Sequence, residues 1–162
     1  MYTLPEPFEL RPVGKADQEF LDELYFASRE DLHQAVPDAA LLRQLIAMQH
    51  ATYQAGLQEN FPDAEYWVLQ QEGRPIGRAV VHRSPEDLRL LDLAVVPSAR
   101  RAGAAKAVVR ALQAAASSCK LPLTLAVGKA NHPACNLYLG LGFTVQSADH
   151  VLVQMAWRNG EA

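Results

Sequence analysis

A loop of small residues between an apolar segment and an alanine-rich segment carries the clearest chemical signal in this sequence. The apolar segment, Leu91 to Val96, precedes Arg100, Arg101 and Gly103. A loop of this kind that leads into a helix exposes backbone N–H groups at the positive end of the helix dipole, where phosphate or pyrophosphate binds well. The two arginines and Lys106 would add positive charge. A turn that only packs a helix against a sheet would use the same residues, so the loop alone supports both interpretations.

Cysteine and histidine spacing gives no sign of a metal site. Cys119 and Cys135 are too few for a disulfide framework and have no CxxC spacing, which fits a reducing compartment. The five histidines show no HxxxH spacing, and we predict no bound metal. His50, His82 and His150 have the intrinsic pKa of a base, but no pattern assigns any of them a role. We interpret Cys135 as a packing residue.

Hydrophobic periodicity predicts the elements that must position the loop. Alternation with period two indicates strands, and apolar residues at i, i+3 and i+4 indicate helices. The nearly continuous apolar run from Leu88 to Val96 is typical of a strand covered on both faces. A hairpin is predicted over 66–82, with its turn at Glu72 to Pro75. The other predicted strands cover 8–12, 123–127, 143–146 and 151–157. Four helices are predicted to begin at Asp17, Asp38, Gly103 and Pro133. The helix that begins at Asp38 is predicted to end at Gly56, and the one at Pro133 to end at Leu141.

Composition excludes several classes of protein. The chain has 162 residues, with 15 Lys and Arg against 18 Asp and Glu, a net charge of −3 and 49% hydrophobic residues. These values predict one globular domain over residues 1–162. The basic residues are scattered and form no stripe, so we expect no nucleic-acid partner. The N-terminus lacks a signal-peptide pattern, and Arg89 and Asp92 interrupt the longest apolar stretch; we therefore expect no membrane insertion and a cytoplasmic location.

Two sequence blocks occur in a fixed order. The block RRAGAA at 100–105 follows a strand and a proline, and NHPACNLYLGLGF lies downstream at 131–143. The first resembles the pattern Arg/Gln-x-x-Gly-x-Gly/Ala and the second resembles Asn-x-x-Ala-x-x-Leu-Tyr-x-x-x-Gly-Phe, both from the GNAT superfamily of acetyl-CoA-dependent N-acyltransferases. Either block alone is a weak signal, whereas the ordered pair is specific. Together with the order of elements, the resemblance covers essentially the whole chain.

The resemblance implies a fold of the α/β (α+β) class. We expect a central mixed, mostly antiparallel sheet of six to seven strands, flanked by about four helices. The strands at 88–96 and 123–127 should splay apart, which leaves room for a ligand between them. Many relatives are homodimers through their last strands, so both a monomer and a homodimer remain open.

The resemblance also implies a binding site for acetyl-CoA as co-substrate. The amides of the loop would hold the pyrophosphate, and the strand edge would hydrogen-bond the pantetheine arm in the manner of an added strand. Asn131 either lies beside the pantetheine or acceptor, or caps the helix that follows, and the two roles are compatible. Ala105 departs from the commoner glycine, and its methyl group would weaken binding if it faces the pyrophosphate. The implied CoA-binding residues are Leu93, Ala94, Val95, Arg100, Arg101, Ala102, Gly103, Ala104, Ala105, Lys106, Asn131 and Tyr138.

Two residues are candidates for catalysis. In the family, a tyrosine at the position of Tyr138 protonates the departing CoA thiolate. A phenol, with a pKa of ~10, stays protonated at neutral pH and can do so. An acceptor amine, in contrast, must lose a proton before it attacks a thioester. Asp92 is the candidate that binds the amine or takes its proton, because a carboxylate in an apolar strand is costly to bury without a partner. A hydrogen bond to the backbone or to an arginine is an equally good explanation of Asp92.

The implied activity is acetyl transfer to a primary amine by direct attack, through a tetrahedral intermediate. A small-molecule amine is the first expectation for the acceptor, and a peptide N-terminus or a lysine is the next. Its pocket is predicted from residues 28–36, 49–53, 82–87 and 149–150, although the charged run Glu30, Asp31 and His33 is read as solvated. Two alternatives remain: a non-catalytic acyl-CoA-binding module, and an interaction domain that shares only the fold.

Overall fold

The computed structural model describes residues 2–160, which contain seven strands and five α-helices. Short 3-10 turns at Lys15–Asp17 and Pro97–Ala99 precede the first and fourth helices. The strands are β1 (Phe8–Pro12), β2 (Glu65–Gln71), β3 (Arg74–Arg83), β4 (Leu88–Val95), β5 (Leu123–Gly128), β6 (Thr144–Ala148) and β7 (Leu152–Trp157). The helices are α1 (Gln18–Ser28), α2 (Glu30–Ala35), α3 (Ala39–Asn60), α4 (Ala104–Cys119) and α5 (His132–Gly140).

All seven strands belong to one sheet, in the order β1-β2-β3-β4-β5-β7-β6. Every neighbouring pair is antiparallel except β4 and β5, which run parallel. A parallel pair needs a crossover, and α4 provides it. The predicted fold class is therefore confirmed, including the seven strands of a mixed, mostly antiparallel sheet.

The pairing of β4 with β5 stops after three residues. Leu88 lies opposite Leu123, and the register ends where Leu90 lies opposite Leu125. On the other side of β4, Leu90 pairs with Val81 and Asp92 pairs with Val80, so Leu91 is an extra residue in a β-bulge. A bulge bends its strand and increases the local twist. The splay predicted between these two strands therefore begins at the bulge.

Helices cover both faces of the sheet. The apolar face of α4, including Val108, Val109 and Leu112, is buried in one core together with Leu90 and Val95. On the opposite face, α1 contacts β3 and β4 and also packs against α3. No helix within residues 2–160 is long and apolar enough to cross a membrane.

Two local predictions about the helices were wrong, and one helix was not assigned from the sequence. Glu30, Asp31 and His33 are exposed, as predicted for a solvated charged run, and residues 30–35 form the short helix α2. Its acidic first turn complements the positive end of the helix dipole. Helix α3 does not end at Gly56 but continues to Asn60, because glycine tolerates a helix and only weakens it. Asp17 precedes α1 without capping it, since its carboxylate instead accepts hydrogen bonds from Arg11 and from the Gly14 N–H.

Candidate active site

The loop before α4 has the backbone conformation of an anion site. Gly103 adopts φ +86° and immediately precedes the helix, and Arg101 is also left-handed, with φ +67°. The Ala107 N–H donates to the Gly103 carbonyl at 2.9 Å, which is the first hydrogen bond of the helix. The N–H groups of residues 104–106 lie before this bond, where a helix offers them no internal partner. They are therefore available to a bound phosphate.

A cavity of about 360 Å³ opens over these amides. Its wall includes Ala105, which stands where the family more often has glycine and is also half-buried against the core. Arg101 and Lys106 are exposed at its rim. Arg100 is already engaged: its Nε donates to the Val95 carbonyl at 3.0 Å and its Nη1 to Glu30 Oε1 at 3.3 Å. Arg100 thus ties the loop to the end of β4 and to α2.

A second cavity, of about 190 Å³, lies where β4 and β5 diverge, and we call it the cleft. Its walls are formed by residues 90–93 of β4 and 125–128 of β5, together with Asn131 and Tyr138 from the α5 region. The Asn131 side chain accepts a hydrogen bond from Ala134 N–H at 3.3 Å and so caps α5. Both roles considered for Asn131, capping and lining the cleft, are thus compatible with its position.

Tyr138 is buried at the cleft, with 8% of its surface exposed. Its ring packs edge-on against Phe143, with the ring centroids 5.5 Å apart. Burial raises the pKa of the phenol to about 12, and the negative charge of Asp92 and the nearby Cys135 add to the shift. Tyr138 therefore remains a protonated hydrogen-bond donor across the physiological pH range.

A third cavity, of about 220 Å³, lies between β3–β4 and the helices α1 and α3. We call it the helix-side cavity. Asp92 and Leu93 line both it and the cleft, so the two spaces meet at these residues. The bulge at Leu91 explains the position of Asp92. Because side chains alternate along a strand, Asp92 without the bulge would share the α4-side face with Leu90.

Asp92 forms an ion pair with Arg78 on the neighbouring strand. Arg78 Nε donates to Asp92 Oδ2 at 2.8 Å. Arg78 is 4% exposed, whereas the Asp92 side chain is 24% exposed. In the β3–β4 register Arg78 lies opposite Ala94 and Val80 opposite Asp92, which makes the two charged residues diagonal neighbours on one face. The arginine partner considered for Asp92 thus exists, and the carboxylate still reaches both cavities.

Aromatic residues of α1 and α3 complete the helix-side cavity. The Tyr25 and His50 rings are stacked with centroids 4.4 Å apart, and Tyr53 also lines the wall. Burial lowers the pKa of His50, although Asp22, 3.3 Å from its Nδ1, acts in the opposite direction. For Tyr53 the same burial raises the pKa, because it disfavours the charged phenolate. At neutral pH His50 and Tyr53 are consequently uncharged.

Comparison with known proteins identifies the fold and the family. The model of the Acetyltransferase (GNAT) family matches residues 21–143, most of the chain. The chain belongs to the GNAT acetyltransferase family. This GNAT chain matches no curated protein sequence significantly.

Solved structures share the fold of this GNAT chain at low sequence identity. The PaiA N-acetyltransferase of Thermoplasma acidophilum, in complex with coenzyme A, superposes with a TM-score of 0.71 and 18% identity over 93% of this chain and 98% of that one. The ribosomal-protein-S18-alanine N-acetyltransferase of Escherichia coli gives 0.66 and 18%, over 96% of each chain. A GNAT acetyltransferase of Elizabethkingia anophelis with acetyl-CoA bound gives 0.62 and 12%, over 95% and 99%.

In the GNAT chain, four of the predicted site residues, Asp92 to Val95, follow one another on β4. Ala94 lines the helix-side cavity and Val95 the cavity at the loop, so consecutive β4 residues connect all three spaces. Of the segments predicted to form the acceptor pocket, Ser28, His50 and Tyr53 line the helix-side cavity. Residues 82–87 and 149–150 do not line it.

Three residues considered in the sequence analysis lie outside the site or contribute to packing. His82 Nε2 lies 3.0 Å from Asp63 Oδ1 and its ring contacts Phe61, while His150 is exposed. Cys135 Sγ donates to the Gly128 carbonyl at 3.6 Å, in keeping with a packing role. Among residues 2–160, no group of three or more His, Cys, Asp or Glu side chains could hold a metal ion.

Sequence reasoning missed Arg78. A signal was present, since Arg78 is the one charged residue within the apolar run Ile76 to Val81. By the argument applied to Asp92, a charge in a buried strand needs a partner. The sequence alone does not show that Arg78 and Asp92 pair with one another.

Proposed function

We propose that the protein is an N-acetyltransferase that moves an acetyl group from acetyl-CoA to the primary amine of a small molecule. The observation that carries this proposal is the cleft between β4 and β5, which opens beside Asp92 and Tyr138, with the free amides of α4 at the end of β4. The CoA and acetyl-CoA complexes among the structures of the same fold support acetyl-CoA as the donor.

In this proposal the pyrophosphate binds the N–H groups at the start of α4. Negative charge is favourable there because it faces the positive end of the helix dipole. Arg101 and Lys106 supply the exposed cations, and Arg100 holds the loop against β4. The pantetheine arm lies along β4 beyond Leu90, where β5 no longer occupies the strand edge. The proposed CoA-binding residues are Leu93, Ala94, Val95, Arg100, Arg101, Ala102, Gly103, Ala104, Ala105, Lys106, Asn131 and Tyr138.

The acceptor amine enters from the helix-side cavity and meets the thioester at Asp92. An ammonium group with a pKa near that of lysine, ~10.4, must lose a proton before it attacks. Asp92 binds the ammonium and accepts that proton on its way to solvent. The free amine then adds to the thioester carbonyl, and N–H groups of the strand or loop stabilise the oxyanion of the tetrahedral intermediate.

Tyr138 acts when the intermediate collapses and the carbon–sulfur bond breaks. Its phenol donates a hydrogen bond to the departing sulfur and transfers the proton as the thiolate develops. In water a thiolate, whose thiol has a pKa of ~8.5, is a weaker base than a phenolate, so proton transfer from the phenol to the thiolate would be unfavourable. Burial in the cleft disfavours the free thiolate as well as the free phenolate, so proton transfer to the sulfur is coupled to the return of a proton to Tyr138. That proton comes from the attacking nitrogen, which must lose one more proton to become the amide.

A first experiment tests donor binding separately from catalysis. A ligand held by the native state alone raises stability by RT ln(1 + [L]/Kd), about 2.7 kcal/mol at 100 Kd. We expect a saturable rise in Tm with CoA and with acetyl-CoA, followed by thiol release when primary amines are added. A cooperative melt with no shift at millimolar concentrations of either compound would refute the donor site and leave only the shared fold.

A second candidate, a non-catalytic acyl-CoA sensor, is favoured by one observation. Ala105 lines the loop cavity where the family more often has glycine, and a methyl group that faced the pyrophosphate would narrow its space. A sensor would bind CoA yet release no thiol with any amine. An enzyme, in contrast, would lose turnover and keep CoA affinity after Tyr138→Phe.

A further inference from the structure

The helix-side cavity contains a buried cation that acetyl transfer itself does not require. Arg78 has five N–H donors, of which the Nε–H is bonded to Asp92. Its Cζ lies 6.0 Å from the Tyr53 ring centroid, and the residue lines the cavity. The Nη groups therefore lie beside Tyr53, with which Arg78 shares a side-chain hydrogen bond, and the remaining Nη–H donors are those that a ligand in the cavity can reach. A buried guanidinium is costly unless its donors are used.

Four elements face the cavity, and the charges among its lining residues come from two of them, β3 and β4. Arg78 on β3 and Asp92 on β4 are a cation and an anion 2.8 Å apart. From α3, His50 and Tyr53 contribute no charge at neutral pH. On α1, Tyr25 accepts a hydrogen bond from Arg29 Nη1 at 3.1 Å, and Arg29 is itself paired with Asp31. Among the lining residues the charges of Arg78 and Asp92 therefore balance, and the cavity offers no excess of carboxylates to an amine with several positive charges.

From these observations we infer that the acceptor carries a carboxylate beside its reacting amine and is a free α-amino acid. This inference rests on the proposed function. The carboxylate would pair with the Nη groups of Arg78, and the amine would face Asp92 at the mouth of the cleft. A fork of parallel N–H donors suits a carboxylate, and the opposite charges of the Arg78–Asp92 pair complement those of a zwitterion.

The charge pattern also separates this acceptor from the others considered. A polyamine would bring further positive charge towards Arg78, which is unfavourable in a site shielded from water. A peptide N-terminus or a lysine side chain in a protein has no carboxylate on the carbon that bears the amine. A cavity of about 220 Å³ also has the scale of a single small molecule.

Matched acceptors test the inference on the unaltered protein. Each of the twenty amino acids is titrated calorimetrically into the protein saturated with CoA, and thiol release from acetyl-CoA is measured in parallel. For those that bind, the primary amide and the decarboxylated amine are compared with the acid; spermidine represents the polyamines. We expect at least one acid to bind and to exceed its amide and amine about tenfold or more in kcat/KM, the size of one charge-assisted hydrogen bond.

Each other outcome has a defined meaning. If amides, amines or spermidine equal or exceed the acids, the carboxylate inference is wrong while acetyl transfer stands. If no amino acid binds the CoA complex, the inference is also wrong, whatever the turnover with other amines. If CoA itself does not bind, the proposed function fails, and the calorimetric control with CoA alone reports this separately.

Variants of Arg78 provide a second readout. Arg78→Lys keeps a cation for Asp92 but loses the planar fork, and we expect the KM for the amino acid to rise about tenfold with the KM for acetyl-CoA unchanged. Arg83→Met serves as the matched control, since Arg83 lies at the end of the same strand and pairs with Glu65 outside the cavity. An Arg78→Lys protein that melts normally and keeps its preference for acid over amide would overturn the role of Arg78.

Discussion

Gly77 on β3 lies so close to Ala94 on β4 that a Cβ atom at Gly77 would be 2.2 Å from the Ala94 carbonyl oxygen. No side chain fits at that distance without movement of the backbone. Ala94 lines the helix-side cavity, and its neighbour Val95 lines the loop cavity. The absence of a side chain on β3 therefore allows β4 to lie where it forms the walls of these cavities.

We predict that Gly77→Ala moves β4 and weakens the site. The methyl group meets backbone atoms, so relief requires displacement of the strand, and we expect a loss of about 1–3 kcal/mol in the free energy of unfolding. CoA affinity should fall with it, as measured by calorimetry. Gly56→Ala is the control, because nothing lies within 4 Å of a Cβ there and the residue is inside α3. That variant should gain about 0.5–1 kcal/mol. Unchanged stability in Gly77→Ala would show that β4 adapts without cost.

Tyr138→Phe should separate binding from turnover. Removing the phenol leaves the ring against Phe143, so we expect kcat to fall by about 10²–10⁴ with little change in CoA affinity. Because the pKa of Tyr138 is raised to about 12, its deprotonation should not reduce the activity of the unaltered enzyme below about pH 11. Tyr66→Phe is the matched control: the Tyr66 hydroxyl is buried and has no hydrogen-bond partner among residues 2–160, and its removal should leave stability and activity unchanged or improved. Full activity of Tyr138→Phe would exclude the phenol as the proton donor.

Ala105→Glu should weaken CoA binding without weakening the fold. A carboxylate in the first turn of α4 is favourable to the helix dipole, which offsets the cost of replacing a half-buried methyl group, so we expect the Tm to change little. The same charge stands in the loop cavity, where it repels a pyrophosphate, and we expect Kd for CoA to rise more than about tenfold. Ala114→Glu adds an equal charge at an exposed position further along α4 and should leave Kd unaltered. Equal affinities in both variants would argue that the pyrophosphate binds elsewhere.

Asp17→Asn should make the free energy of unfolding less dependent on pH in the acidic range. Hydrogen bonds from Arg11 and from the Gly14 N–H lower the pKa of Asp17 to about 2, below the ~3.9 of an unfolded chain. A lowered pKa in the folded state stabilises the protein above about pH 4, and this contribution is lost as the pH falls towards 2. We expect a difference on the order of 1–2 kcal/mol between the two proteins at pH 7, because Arg11 is partly exposed to solvent.

The measurement for Asp17 is urea unfolding of both proteins at several pH values from 7 to 2. The difference in the free energy of unfolding should shrink as the pH falls. Glu19→Gln, an exposed carboxylate on α1, should change stability by less than about 0.5 kcal/mol at every pH. A difference that persists undiminished at pH 2 would show that the variant disturbs packing and not charge.

The sequence reveals the fold and the loop well, because both depend on local patterns. Alternation marks the strands, and Gly103 with its small neighbours marks the start of α4. The sequence does not reveal the register between strands. The meeting of Arg78 with Asp92 depends on the bulge at Leu91, which exchanges the faces of all later residues of β4. The acceptor pocket is harder still, since α1 and α3 contribute to it only through tertiary packing.

The short parallel pairing of β4 with β5 has a consequence for how the molecule opens. The sheet consists of two parts, which we call leaves: strands β1–β4 form one, and strands β5–β7 form the other. Only three backbone residue pairs join the two leaves, and α4 links them along the chain. Amide protons near the divergence should exchange with solvent through separation of the two leaves, at a lower free energy than complete unfolding requires. A molecule that contacts both leaves would oppose their separation. Its binding would then slow amide exchange in both leaves, including at residues that it does not contact.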